Sequence, residues 1–409
     1  MSQNVKIEKL DHQGRGIVRT DGKIMFVENA LPGEEVEIEV TKEKKQLKEA
    51  RVTSYQSESL DRRIPPCPYY ETCGGCHIMH MDYKKQLEWK QEKVKEILQK
   101  FLDKDISFPI HPIIASEELG YRNKVTFQVD SKIGYYAKGS NQIVPVKHCN
   151  LISEKKNLIL SKLSEMQLDN CSQIVIRSSE NFEQIMVIFH TNTDVNRKQI
   201  VEALQPYVTS MYIKNKQYEC IYGDDSIEEK LGDYIFTISP DSFFQVNTKQ
   251  AEKMYELVKK YAALEKEDSL LDLYCGTGTI GLYLSDKCKK VLGVEINKQA
   301  VGDAKKNKQA NHVENAEFAC SDVANIVDQI KADYSVVIVD PPRSGLDSKT
   351  ISYLKQWNVK RIVYVSCDPV TLARDLNLLK DVYEVVELTP IDMFPQTYHV
   401  ETVVCLQRK

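Results

Sequence analysis

Apolar positions along the chain change their rhythm several times. Over residues 1–55 they come in short β-branched or alternating runs, at 5–7, 16–19, 24–27 and 36–40. Gly14, Gly16, Asp21-Gly22 and Pro32-Gly33 separate these runs as turns. The last run carries on through the polar stretch 41–48 into Arg51-Val52. Short strands with even turn spacing predict a small closed β-barrel. Such barrels bind oligonucleotides about as often as they serve as spacers, and the balance of acidic and basic residues over 1–63 does not decide.

Residues 56–82 lose the alternation and become a loop rich in Pro, Gly and Cys. A helix follows at about 83–101, where Leu87, Val94, Leu98 and Phe101 recur near helical spacing with Lys and Glu between them. From about 106 to 230, strand-like runs at 121–129, 133–136, 174–177 and 185–190 alternate with helical ones, which predicts an α+β middle domain. Beyond 231 a helix at 248–261 leads into strands at 270–273, 291–295, 336–340, 361–366 and 400–406. Strand–helix alternation of this length predicts a doubly wound parallel sheet with a cofactor at the strand C-termini.

The first of those strands runs into Gly276-Thr277-Gly278-Thr279-Ile280-Gly281, a G-x-G-x-x-G loop between strand and helix. Glu295 ends the next strand, where a carboxylate accepts hydrogen bonds from ribose hydroxyls. NAD enzymes and S-adenosylmethionine enzymes share this geometry. Asp340-Pro341-Pro342-Arg343 tips the balance: the prolines end the strand in a rigid loop beside the cofactor cleft, an element unusual in dehydrogenases and suited to presenting a flat base to a methyl donor.

Ser366-Cys367-Asp368-Pro369 leaves the following strand at the same sheet edge, near the start of a helix at 371–379. A helix N-terminus lowers a thiol pKa, so Cys367 is expected to favour the thiolate. Methyl transfer to carbon employs such a group: a thiolate adding to uracil C6 makes C5 nucleophilic, and a base then removes the C5 proton. His399 and Glu401, two apart on the last predicted strand, both qualify.

Composition adds class limits. The 409 residues are 42% hydrophobic and 28% charged, which suits two or three folded domains and excludes a disordered chain. No run approaches the roughly 18 apolar residues of a membrane span, and the first residues hold no signal-like apolar stretch, so a soluble cytoplasmic protein is expected. A formal charge of −4 lacks the basic footprint of nucleic-acid binders. Any RNA face must therefore gather its cations locally, with Lys84, Lys85, Lys90, Arg122, Lys124 and Arg343 the first to consider.

Of 11 cysteines, Cys67, Cys73 and Cys76 fall within one Pro/Gly loop with spacing C-x5-C-x2-C, and Cys149 follows later. Four thiolates suit zinc or an iron–sulfur cluster, with His77, His80 and His148 as rival ligands. Spacing favours zinc slightly, although C-x5-C is long for zinc. Cys171, Cys220, Cys288, Cys320 and Cys405 read as small buried hydrophobes, and Cys275 as packing beside the glycine loop.

Taken in order, the cysteine set, Ser242-Phe243-Phe244-Gln245-Val246-Asn247, Asp272-Leu-Tyr-Cys-Gly276-Thr-Gly278, Asp340-Pro-Pro-Arg343, Ser366-Cys367-Asp368-Pro369 and His399-Val400-Glu401 resemble the RNA uracil-5 methyltransferases of the bacterial 23S rRNA type. The resemblance covers nearly the whole chain. It implies a TRAM (OB-like) β-barrel at 1–55, an iron–sulfur loop at 56–82, a central α+β RNA-binding domain at 83–230 and a Rossmann-like class I methyltransferase domain at 231–409. It implies that Cys67, Cys73, Cys76 and Cys149 hold a [4Fe–4S] cluster rather than zinc. Gln245, Tyr274, Glu295 and Asp340, with the loop glycines Gly276 and Gly278, would bind S-adenosylmethionine. Cys367 would be the nucleophile and Glu401 the base, and Phe243 and Phe244 would stack near an extruded uracil. The TRAM-like segment points to 23S rRNA rather than tRNA as the substrate, with a monomer as the default. A tRNA uracil-5 methyltransferase and an iron–sulfur NAD-dependent oxidoreductase are the competing readings; the second leaves Cys367 and Glu401 without work.

Overall fold

The computed structural model describes residues 3–20, 22–102, 106–326, 330 and 334–409. Asp21, half of one expected turn, lies outside them. The N-terminal strands Gln3–Lys6, Lys9–Leu10, Gly16–Thr20, Lys23–Glu28, Glu35–Glu43 and Leu47–Ser57 form one six-stranded sheet. It curls around Ile7, Met25, Val27, Val36 and Ile38. Val36 and Ile38 point inward while Glu35 and Glu39 stay outside, the alternation expected of a half-buried strand. The polar stretch 41–48 does not continue one strand: it turns back as a hairpin closed by Lys44 N–H on the Leu47 carbonyl at 2.8 Å.

A central seven-stranded sheet, from Lys124–Val129 to Tyr218–Gly223, carries the helices Glu154–Ser164 and Arg197–Leu204 on a core that includes Phe127, Ile159, Leu160 and Phe189. The hairpin Ile227–Leu231 with Tyr234–Ile238 then leads to the third sheet.

That sheet is built from β1 (Ser269–Leu273), β2 (Lys290–Glu295), β3 (Ala316–Cys320), β4 (Val336–Val339), β5 (Arg361–Ser366), β6 (Tyr383–Ile391) and β7 (Glu401–Arg408). Its order is β3-β2-β1-β4-β5-β7-β6. The first five strands are parallel, but β7 runs antiparallel to both β5 and β6, so the sheet is mixed rather than all parallel. Asp82 caps the helix Tyr83–Phe101 by accepting from Lys84 N–H at 3.0 Å. This helix packs against the helix Pro369–Leu379 and β6, and its Val94, Ile97 and Leu98 join the core cluster that also holds Leu271, Leu273, Val337 and Val339.

Candidate active site

Four chain segments leave the C-terminal ends of β1, β2, β4 and β5 together. After β1, Tyr274, Gly276 and Gly278 take left-handed φ values of 65°, 55° and 76°. Such a turn favours glycine, and a Cβ on Gly278 would lie 2.6 Å from Phe318. Glu295, ending β2, accepts from Gly276 N–H at 3.1 Å and Asn297 N–H at 2.8 Å, which fixes its carboxylate beside the glycine loop. The Tyr274 hydroxyl reaches Asp347 at 3.4 Å. Asp272 is fully buried; one carboxylate oxygen accepts from Gly281 N–H at 2.9 Å and the other has no partner. Burial pushes its carboxyl up to about 8.

The β5–β7 register brings the candidate nucleophile and base together. Ser366 pairs with Thr402, so Cys367 and Glu401 each lie one position further toward the same end of the seam. Burial, then the neighbouring Asp340, raises the Glu401 carboxyl to about 8, while Arg343 opposes the rise. Burial alone raises Asp340 to about 7. Cys367 is half-buried, and its thiol is pushed up to about 12 by burial, Glu401 and Asp340, again against Arg343.

The expected helix-driven lowering of Cys367 is therefore corrected. The helix is Pro369–Leu379, and its free N–H groups are taken by Asp368, which accepts from Val370 at 2.8 Å and Thr371 at 3.2 Å. Little of the helix's positive end is left for the thiol. His399 precedes β7 instead of lying on it, and its Nε2 is 3.5 Å from Arg343 Nη2. Burial and Arg343 lower it to about 3, so the imidazole is neutral.

The Ser242–Asn247 motif is anchored by Ser242 Oγ on Asp303 at 2.6 Å and by the Gln245 carbonyl on Asn123 at 2.8 Å. Phe243 is 62% exposed and free to stack on a base. Phe244, at 7%, belongs to the hydrophobic core and is withdrawn as a stacking candidate.

Cys67, Cys73, Cys76 and Cys149 line one cavity of about 30 Å³ with Tyr70, Met79, Arg122 and Tyr135. No disulfide joins them. Cys73 forms a backbone bridge with Ala137, and Cys149 N–H donates to the Asn157 side chain, at Oδ1, at 2.8 Å, so both walls of the cavity are tethered. Among the described residues, no group of three or more His, Cys, Asp or Glu is arranged to hold a metal ion. Of the rival histidines, His77 stacks on Tyr398 and His80 meets the Tyr70 hydroxyl, while His148 lines the same cavity and also pairs with Glu154. Of the other cysteines, Cys320 is exposed and Cys220 half-buried, unlike the core residues expected; Cys171, Cys275, Cys288 and Cys405 are buried.

One further correction concerns charge. Lys90 is completely buried against Asp392 and offers nothing to RNA. Arg343 is exposed at the mouth of the Cys367–Glu401 site and acts on both groups, a placement that the D-P-P-R motif alone did not disclose.

The chain matches the family described as tRNA (Uracil-5-)-methyltransferase over residues 82–409 and the TRAM domain over residues 2–53. It is 35% identical to a protein of Staphylococcus epidermidis described as an uncharacterized RNA methyltransferase, covering 99% of this chain and 97% of that one. A protein of the same description from Clostridium acetobutylicum is 36% identical, with 99% and 96% covered. Among solved structures, the tRNA (uracil-54, C5)-methyltransferase of Pyrococcus abyssi in complex with S-adenosyl-L-homocysteine superposes with a TM-score of 0.82 at 28% identity, over 98% of this chain and 99% of that one. With a TRAM domain at one end and the glycine-loop sheet at the other, the chain belongs to the family of S-adenosylmethionine-dependent RNA uracil-5 methyltransferases.

Proposed function

We propose that this enzyme forms 5-methyluridine in 23S rRNA, with Cys367 as nucleophile and Glu401 as base. The observation that carries the mechanism is the antiparallel register that sets Cys367 opposite Glu401. Cys367 reacts as the thiolate, its proton given up to solvent: the sulfur bonds to uracil C6, and the C5–C6 π pair moves toward O4 as an enolate. S-adenosylmethionine, when bound, would supply the electrophilic methyl group that C5 takes, its S–CH3 bonding pair staying on the departing S-adenosylhomocysteine. Glu401, in its ionised form, then removes the C5 proton, and the pair left behind re-forms C5=C6 as the Cys367 thiolate departs. Arg343 is the cation that offsets the negative charge gathered by Cys367, Asp340 and Glu401.

Gln245, Tyr274, Gly276, Gly278, Glu295 and Asp340 form the S-adenosylmethionine pocket in this reading. The left-handed glycines and the anchored Glu295 carboxylate fit a nucleoside held against backbone. Cys67, Cys73, Cys76 and Cys149 hold a [4Fe–4S] cluster that staples the 56–82 loop to the central domain. The support for it is that the four cysteines line one carboxylate-free cavity. Residues 1–55 and 83–230 then present the RNA, residues 231–409 do the chemistry, and the protein works as a cytoplasmic monomer. No helix among the described residues is long and apolar enough to cross a membrane.

The tRNA reading has an observation of its own. The Pyrococcus abyssi protein is by its description a tRNA enzyme, yet it aligns over 98% of this chain. An N-terminal barrel therefore does not separate rRNA from tRNA enzymes. Mass-spectrometric mapping of 5-methyluridine in rRNA and tRNA from a deletion strain tests both: loss from 23S rRNA alone supports the proposal, and loss from tRNA alone replaces it.

A further inference from the structure

The buried face of the helix Tyr83–Phe101 is not wholly apolar. Gln86, Lys90 and Lys93 are buried along it at i, i+4 and i+7, one stripe of a helix. All three reach the same target, the segment 392–398 that connects β6 to β7 and ends just before Glu401.

Lys90 Nζ lies 2.6 Å from Asp392 Oδ1 and donates to the Phe394 carbonyl at 3.1 Å. Both partners of the ion pair are 0% exposed. The second Asp392 oxygen accepts from the Tyr83 hydroxyl at 3.0 Å. Gln86 Oε1 accepts from Gln396 N–H at 3.1 Å, and Gln86 Nε2 donates to Gln396 Oε1 at 2.9 Å. Lys93 Nζ donates to the Tyr398 carbonyl at 2.8 Å. Gln396 itself sits at φ 69°, a left-handed conformation that a non-glycine residue holds only when its surroundings impose it.

Desolvating two charges cancels most of what their attraction gains, so a fully buried pair supplies geometry more than stability. The segment it shapes carries no catalytic group of its own. What it governs is the entry of the chain into β7, and Glu401 is the first residue of that strand.

We propose that Gln86, Lys90 and Lys93 are positioning residues that hold the segment 392–398 in the path that delivers Glu401 to Cys367. The proposal rests on the reading of Glu401 as the base. None of the three touches the reacting atoms. The attachment of Cys367 to β5 and the glycine loop to β1 is independent of this segment. Loosening it should therefore spare S-adenosylmethionine binding, thiolate addition and methyl transfer, and slow the proton removal that releases the RNA.

The test is the double variant Lys90→Met/Asp392→Leu, which replaces the ion pair by apolar side chains of similar length and leaves no unpaired buried charge. It is compared with wild-type enzyme and Glu401→Gln on an unmodified 23S rRNA transcript or tRNA transcript, whichever the wild type methylates. Melting temperature, S-adenosylmethionine affinity and the rates of formation and decay of the denaturant-stable protein–RNA adduct are measured. The expected result is wild-type melting, affinity and adduct formation, with adduct decay slowed about ten-fold or more. Wild-type decay overturns the proposal, and so does an equal fall in every quantity, which marks a general folding role. If the double variant does not fold, Lys93→Met carries the same test at the other end of the segment. Trapping by Glu401→Gln without trapping by the helix variants overturns the positioning role alone. No trapping by Glu401→Gln overturns the base assignment beneath it.

Discussion

Cys367 and Glu401 face each other across the only antiparallel seam that β5 makes, one position past the Ser366–Thr402 pair. The relationship depends on β7 entering the sheet against the direction of its neighbour. A parallel last strand would carry Glu401 to the opposite end of the sheet from Cys367. Replacing Cys367 by Ala should abolish 5-methyluridine formation, by about 1,000-fold or more, while S-adenosylmethionine binding measured by calorimetry stays within two-fold or so. Full turnover in Cys367→Ala would end the covalent mechanism.

Burial of Glu401 makes a stability prediction with a definite sign. Its carboxyl titrates near about 8 in the folded chain, against roughly 4.3 when unfolded. Between those values the unfolded chain has given up the proton and the folded chain has not, so stability falls as pH rises through that window. Gln does not titrate. The melting temperature of Glu401→Gln minus that of the wild type should therefore grow from about pH 5 to about pH 9, as read by calorimetric melts across that range. A difference constant with pH would show that the carboxyl is not held protonated.

Arg343 is the cation that acts on both Cys367 and Glu401, the proposed nucleophile and base, and it opposes the rise of each. With Arg343→Gln, Cys367 and Glu401 should both ionise at higher pH. The rising limb of the pH–rate profile should then move upward, and the rate near pH 7 should fall by about ten-fold for each unit of movement. Arg343→Lys keeps the charge and should keep most of the profile. An unmoved limb in the Gln variant would leave Arg343 as an RNA contact only.

How much of this was legible beforehand follows from where each element lies. The interior strands β1, β4 and β5 are covered on both faces and read as continuous apolar runs, so the sequence exposes them. The two strands it hides, β3 and β6, are the sheet's edges. There Ala316–Cys320 is short and interrupted by Glu317, and Tyr383–Ile391 carries Glu384, Glu387 and Pro390. Helical spacing locates Tyr83–Phe101, but it cannot say that Lys90 is buried, because its partner Asp392 lies some 300 positions away. The site motifs are local and visible. The direction of β7 and the ionisation of Cys367 are products of tertiary packing.

The four-cysteine cavity yields a prediction about colour and cohesion. Protein purified anaerobically should be brown and contain about four irons and four sulfides per chain. Cys149 approaches the cavity from the central domain, whereas the other three cysteines share the 67–76 loop. Cys149→Ser should therefore bleach the protein and make the 56–82 loop the first site of limited proteolysis. A colourless wild-type protein with stoichiometric zinc would reverse the assignment.

The two glycines of the cofactor loop should fail in different ways. Both hold left-handed φ values, which cost a substituted alanine about 1 kcal/mol through backbone strain. Around Gly276 nothing lies within 4 Å of an added Cβ, so the methyl would project into the open space above the sheet edge. Around Gly278 a Cβ would sit 2.6 Å from Phe318 and 3.1 Å from Ala304, packed core groups that cannot withdraw like the tip of a surface side chain. Gly278→Ala must therefore displace the loop or β3 and should lower the melting temperature beyond the strain common to both. Gly276→Ala should melt closer to wild type and lose S-adenosylmethionine affinity instead, since its methyl group enters the space that the ligand needs. Calorimetric melts and titrations on the two variants separate these outcomes. Equal melting with equal affinity loss would mean that the loop adjusts as a unit and that Phe318 does not restrain it.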